Sequence, residues 1–186
     1  MKKTFQILTL ISLIALSFVS YAKSQNGVYM TADDFVNKKL SYDKDNKIHL
    51  NNSVWEMPYI TVTDHSEKLK LNKNKIFGYA DGDKKVYRFY KNAEYEIAEA
   101  GSMMIYMQVE RIAQSKGFMV KKNFYFSTSA GSKIVPLTLD NLKSAYRTNE
   151  RFIDLLDQFF SNSDVTTFDR IHNMYKVNYV FAKTLK

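Results

Sequence analysis

Residues 76–109 read IFGYADGDKKVYRFYKNAEYEIAEAGSMMIYMQV, and this stretch decides the fold. Ile76 to Ala80 and Lys84 to Tyr90 are short runs rich in aromatic and β-branched residues on either side of Asp81-Gly82-Asp83. An Asp-Gly step between such runs signals a hairpin, because the turn needs residues that tolerate a positive φ. Glu94 to Ala98 and Met103 to Val109 flank Gly101-Ser102 in the same way. The pattern predicts antiparallel strands joined by tight turns. Met103, Met104 and Met107, with Ile105 and Tyr106, make one strand apolar on both faces, which predicts burial rather than a Met-rich docking surface.

The strand pattern continues on both sides. Upstream, Ile60 and Val62 alternate with Tyr59, Thr61 and Thr63, and Leu69 and Leu71 with Lys68 and Lys70. Before them, Thr31 is placed to cap a short helix, with Asp33 and Asp34 in its first turn and Phe35 and Val36 on its buried side. Lys38 to Lys47 is a polar connection. Downstream, Gly117 and Gly131 punctuate breaks around a strand at Val120 to Thr128. After Pro136 the period changes to helical. Thr138 caps a helix to about Arg147, Asn149 opens another to Phe160, and a third is expected over Val165 to Leu185 with Phe168, Ile171, Met174, Tyr175 and Phe181 on one apolar side. Strands first and helices afterwards predict an α+β fold, in which an antiparallel multi-stranded sheet is followed by three C-terminal helices packed on it.

The remaining termini and totals bound the biology. Lys2 and Lys3, the apolar run Phe5 to Val19, and Ser20-Tyr21-Ala22 have the layout of a cleavable signal peptide over residues 1–22. A retained anchor would need about 20 apolar residues to span the bilayer. The expectation is an exported, periplasmic or extracellular protein of bacterial type, with residues 23–186 as one α+β domain and no later transmembrane span. The chain of 186 residues is 45% hydrophobic and 25% charged, an ordinary globular balance. It contains no Cys, which removes disulfides, thiolate metal sites and cysteine nucleophiles.

The formal charge of +8 is uneven. Between Glu67 and Lys91 stand eight basic residues against three acidic ones. Lys68, Lys70, Lys85 and Arg88, with Tyr87 for stacking, are the candidate ligand-binding residues. Their expected partners are an anionic glycan, a lipid headgroup or an envelope protein. Nucleic acid is not expected of an exported chain. The plainer alternative is a solvated sheet face whose lysines discourage edge-to-edge pairing.

Catalytic signals are weak. The three His residues, His49, His65 and His172, fit no metal spacing, and there is no H-E-x-x-H, G-x-S-x-G or phosphate-loop motif. No metal or cofactor is expected. A helical reading puts Asp169, His172 and Lys176 on one face, where Asp169 could orient the imidazole; the same spacing is also an ordinary ion pair. Glu94 and Glu96 share one side of a strand, and Glu96 with a second carboxylate could do glycosidase work. Non-enzymatic binding is therefore the leading expectation, with a hydrolase of envelope or extracellular polymers and a structural assembly subunit as alternatives.

Several segments carry a resemblance: Lys75-Ile76-Phe77-Gly78-Tyr79, Asn123-Phe124-Tyr125-Phe126-Ser127, Pro136-Leu137-Thr138, Phe168-Asp169-Arg170-Ile171-His172 and Gly27-Val28-Tyr29-Met30-Thr31. Together they resemble a family of small exported bacterial proteins without an assigned activity. The resemblance implies export and transfers no catalytic or ligand residue.

Overall fold

The structure is a computed structural model and describes residues 26–43, 47–49, 57–83 and 85–185. The expected signal peptide lies outside them, as does Trp55. Strand β1 (Asn26–Tyr29) is followed by α1 (Ala32–Val36), β2 (Lys47–His49), β3 (Tyr59–Asp64) and β4 (Glu67–Asn72). A 3-10 turn at Lys73–Lys75 leads to β5 (Gly78–Asp81), β6 (Val86–Tyr90), β7 (Ala93–Ala100), β8 (Met104–Gln114), β9 (Gly117–Ser127) and β10 (Val135–Pro136). Then come α2 (Leu139–Ala145), α3 (Glu150–Phe160), a short hairpin of β11 (Phe168–Asp169) and β12 (Met174–Tyr175), and α4 (Lys176–Ala182). The protein is α+β.

Seven antiparallel strands form the main sheet in the order β1-β5-β6-β7-β8-β9-β10, and β2-β3-β4 form a second, smaller sheet. The turns follow from local chemistry. Asp81 Oδ1 accepts from the amides of Asp83 and Lys85, and Gly82 takes φ +82°. Lys91 and Asn92 both lie at positive φ between the paired residues Tyr90 and Ala93, the two-residue turn that matches strand twist. At α1, Thr31 and Asp34 make a reciprocal capping box.

Antiparallel partners share a face, so the register sorts the side chains. Val28, Tyr79, Tyr87, Glu96, Met107 and Phe124 run across the first face; Tyr29, Gly78, Arg88 and Tyr95 lie on the second. The small sheet sends Ile60 and Val62 into a cluster with Val28, Tyr79 and Phe89 on the first face. Farther along that face, Met103, Ile105 and Phe126 share a buried cluster with Leu142 of α2, Phe152, Leu156 and Phe160 of α3, and Val177 and Val180 of α4. The i, i+4, i+8 spacing of the α3 residues gives that helix one apolar stripe. On the second face, Phe35 of α1 stacks on Phe77 at 4.9 Å, and Ala130 and Ile134 cover the sheet from the loop after β9. Met103 to Tyr106 are buried, as their two-faced apolar pattern predicts, whereas Met107 is only half-buried.

Two local expectations are corrected. Val36 is exposed, and Ala32 and Phe35 pack α1 on the sheet instead. The third C-terminal helix does not begin at Val165. Asp164 takes the amide of Thr166 and the hydroxyl of Thr167, Asp169 takes the amides of Ile171 and His172, and Asn173 sits at φ +51°. These local side-chain bonds outcompete the helix. They fold the segment into the β11–β12 hairpin, closed by an edge-to-face contact of Phe168 with Tyr175 at 5.4 Å. The helix is confined to Lys176–Ala182.

Candidate functional site

The sheet has a fork. Pairing of β7 with β8 starts at Glu96 opposite Met107, whereas β8 and β9 stay paired out to Gln114 and Gly117. Beyond the fork, β8 and β9 leave the body as a two-stranded arm. At its base lies an open cleft of about 660 Å³, within the range of small-molecule sites.

One wall comes from β6 and β7. Lys85 Nζ meets Glu96 Oε2 at 3.1 Å, and Tyr87 lies opposite Glu96 in register. Tyr79 stacks on Tyr87 with centroids 4.9 Å apart and hydrogen-bonds Glu94. Burial, then Glu96, Asp81 and Glu94, push the Tyr87 phenol up to about 12. Burial, reinforced by Glu94, raises Tyr79 further. Both rings therefore stay neutral donors at physiological pH. The other wall is the arm's base. Gln108 Nε2 donates to the Glu94 carbonyl at 2.8 Å, bridging the fork, and Asn123 Nδ2 donates to Glu110 at 3.2 Å. Tyr125 completes this wall, held edge-on by Tyr95 at 5.1 Å. Three carboxylates and one amine make the lining acidic.

Glu99 is drawn to the same face by a β-bulge between Ile97 and Glu99. It is engaged there by the chain itself. Its carboxylate accepts from the Tyr175 amide and from Asn178 Nδ2, each at 2.6 Å. The buried Asn178 side chain in turn bonds both backbone groups of Met103. This group ties α4 to the β7–β8 turn.

The five candidate ligand residues are dispersed. Lys68 and Lys70 alternate with the inward Leu69 and Leu71, and Lys70 lies over the Tyr59 ring on the outer face of the small sheet. Lys85 and Tyr87 line the acidic cleft. Arg88 belongs to the opposite face of the main sheet and is only 5% exposed. Its guanidinium donates to Tyr106 Oη at 2.6 Å, Ser127 Oγ at 3.3 Å and the Ser132 carbonyl at 2.7 Å. An alternating strand separates neighbours such as Tyr87 and Arg88 by the thickness of the sheet, so the basic window does not assemble into one face.

Asp169 and His172 do meet, Oδ2 to Nδ1 at 2.7 Å, but in the turn of the β11–β12 hairpin. The ring stacks on Tyr179 at 3.9 Å. Lys176 leaves the pair and bonds the Phe159 carbonyl on α3. Among the described residues no three His, Asp or Glu side chains gather as a metal cage, and no helix is long and apolar enough to cross a membrane.

The His172 hydrogen bond and the turn amides hold the Asp169 carboxyl below its ordinary value of 3.8. A depressed carboxyl stabilises the fold above its unfolded value, and that contribution fades as pH falls through the folded one. The turn is therefore expected to loosen only in acid below 3.8. NMR titration of Asp169 should give a midpoint under that value, and Asp169→Asn should remove the turn's acid transition while leaving the core signals in place. An Asp169 midpoint at or above the ordinary value would refute the tie.

Gln108, Asn123 and Tyr125 were missed as site residues in the sequence. The only available signal was a strand pair longer than its neighbours. Comparison with known families, with curated proteins and with solved structures finds no match.

Proposed function

We propose that this chain is an exported, non-enzymatic binding protein of the cell envelope or its surroundings, and that its ligand is a neutral or amine-bearing glycan held in the fork cleft. The observation that carries this reading is the cleft's composition. Tyr87 and Tyr125 supply ring surface, Gln108 and Asn123 supply amides, and carboxylates outnumber amines three to one. Sugar hydroxyls suit such acceptors, and a ligand amine gains from the negative field. An anionic glycan or lipid headgroup would meet repulsion there. In this reading α2, α3 and α4 form a layer over the far end of the sheet.

Glu96 is held by Lys85 and Glu94 by Tyr79, so these carboxylates already have partners suited to orienting a ligand. Asp169 and His172 close a turn. Binding is favoured over hydrolysis on that ground.

Titration calorimetry of the full exported chain against neutral, amino-bearing and uronic-acid oligosaccharides tests the proposal. Neutral or amino sugars are expected to bind. Glu96→Gln and Tyr125→Ala should each weaken binding about tenfold, the effect of losing one charged hydrogen bond or one stacked ring. Preference for the uronic acids would overturn the assignment. Release of reducing ends by the wild type, lost in Glu96→Gln, would replace it with a hydrolase.

A further inference from the structure

Among the described residues, nothing pairs with the β8–β9 arm beyond the fork. β10 pairs with β9 only at Tyr125 and Phe126, and β7 reaches β8 no farther than Met107, so no described strand covers either edge of the arm. Six residues past Gln108 at about 3.3 Å each give it a reach of about 20 Å. A two-stranded ribbon is marginal in water unless an apolar face is covered.

This ribbon carries apolar side chains near its tip on both faces. The register puts Phe118 and Val120 on one face, and Ile112 with Met119 on the other. Phe118 is 72% exposed and Val120 58%, with Met119 exposed beside them. From Gln108 to Asn123 the arm has Arg111, Lys116, Lys121 and Lys122 against one acid, Glu110. A protein surface would cover one face of the ribbon. A medium that surrounds the tip covers both, and the basic residues specify its charge.

We propose that the tip of this arm inserts into the surface of an anionic lipid bilayer. Phe118, Met119 and Val120 lie within three residues of the turn at Gly117, so they would enter to about the 5–10 Å depth of interfacial elements. Arg111, Lys121 and Lys122 sit at headgroup level, and Lys116 at the tip extends its amine back toward the phosphates. The arm thereby holds the fork cleft close to the membrane. The inference rests on the arm alone and stands whether or not the cleft takes a glycan.

The test is flotation of the full exported chain with vesicles of phosphatidylcholine alone or mixed equally with phosphatidylglycerol. Partition is expected on the mixed vesicles and not on phosphatidylcholine. Phe118→Ser combined with Val120→Ser should lower it about tenfold, the cost of withdrawing a large apolar side chain, and Lys121→Gln with Lys122→Gln should lower it on mixed vesicles only. Depth is read separately in a Trp55→Phe, Phe118→Trp chain, where mixed vesicles should shift emission to the blue and brominated lipid should quench it. Any N-terminal contribution is common to all variants. Equal partition of wild type and variants, or unquenched Trp emission, overturns the proposal. So does lipid-free self-association abolished by Phe118→Ser, which would make a second copy the occupant.

Discussion

Gly78→Ala is expected to cost about 3 kcal/mol or more, at the upper end of overpacking penalties, and to shift the urea midpoint accordingly. Gly78 pairs with Arg88 across β5 and β6. A methyl group there would sit inside contact distance of the Tyr87 carbonyl oxygen, 2.8 Å from its carbonyl carbon and 2.9 Å from Arg88 Cα. All three are backbone atoms of a strand paired on both sides, so none can retreat without breaking the ladder. The strands involved carry Tyr79, Tyr87 and Phe89, which join the two sheets. Gly131→Ala is the control. Its nearest neighbour is Ala32 Cβ at 3.8 Å, an ordinary contact, so this change should be nearly neutral. Circular dichroism melts in urea compare the two. A cost below about 0.5 kcal/mol at Gly78, ordinary for a surface change, would contradict the β5–β6 register.

Arg88→Ala is expected to destabilise the fold by about 4 kcal/mol, combining lost packing with the loss of three hydrogen bonds, one of them to the half-buried Ser132 carbonyl. The guanidinium lies 5.3 to 5.7 Å from the rings of Phe77, Tyr90 and Tyr106, close enough for each to attract the charge. Its three hydrogen-bond acceptors are a phenol, a hydroxyl and a carbonyl, so rings and neutral dipoles compensate the buried cation. The bond to Ser132 also pins the loop that covers the second face. Arg88→Lys keeps the charge but has no planar fork to reach acceptors on two elements, so it should recover roughly half of the loss. Stability and ligand affinity separate this role from binding. Arg88→Ala should lower the urea midpoint, whereas a chain that melts normally and has lost a ligand would place Arg88 on a recognition surface.

Most of the fold was legible because its signals are local. The Asp81-Gly82-Asp83 turn, the Thr31 and Thr138 caps, and the alternation of Ile60 and Val62 with Thr61 and Thr63 depend on residues a few positions apart. The segment from Val165 to Tyr175 was misread because apolar spacing alone cannot report that Asp164 and Asp169 capture nearby amides. The candidate site was far less legible. Glu96 and Tyr87 were recognisable as chemistry-bearing, but their cleft requires β8 to outrun β7, and nothing in either strand states the length of its partner.

The sequence by itself determined the antiparallel strands joined by tight turns, the change to helices after Pro136, the absence of thiol chemistry and the position of the excess charge. Only the tertiary structure decided where that charge goes. It divided Lys70, Lys85 and Arg88 among an outer face, an acidic cleft and the interior. It also left Phe118 and Val120 uncovered at the end of an arm. The reason is physical: periodicity fixes which residues share a face of one strand, while register and the packing of a second layer fix whether that face meets water, a core or a cleft.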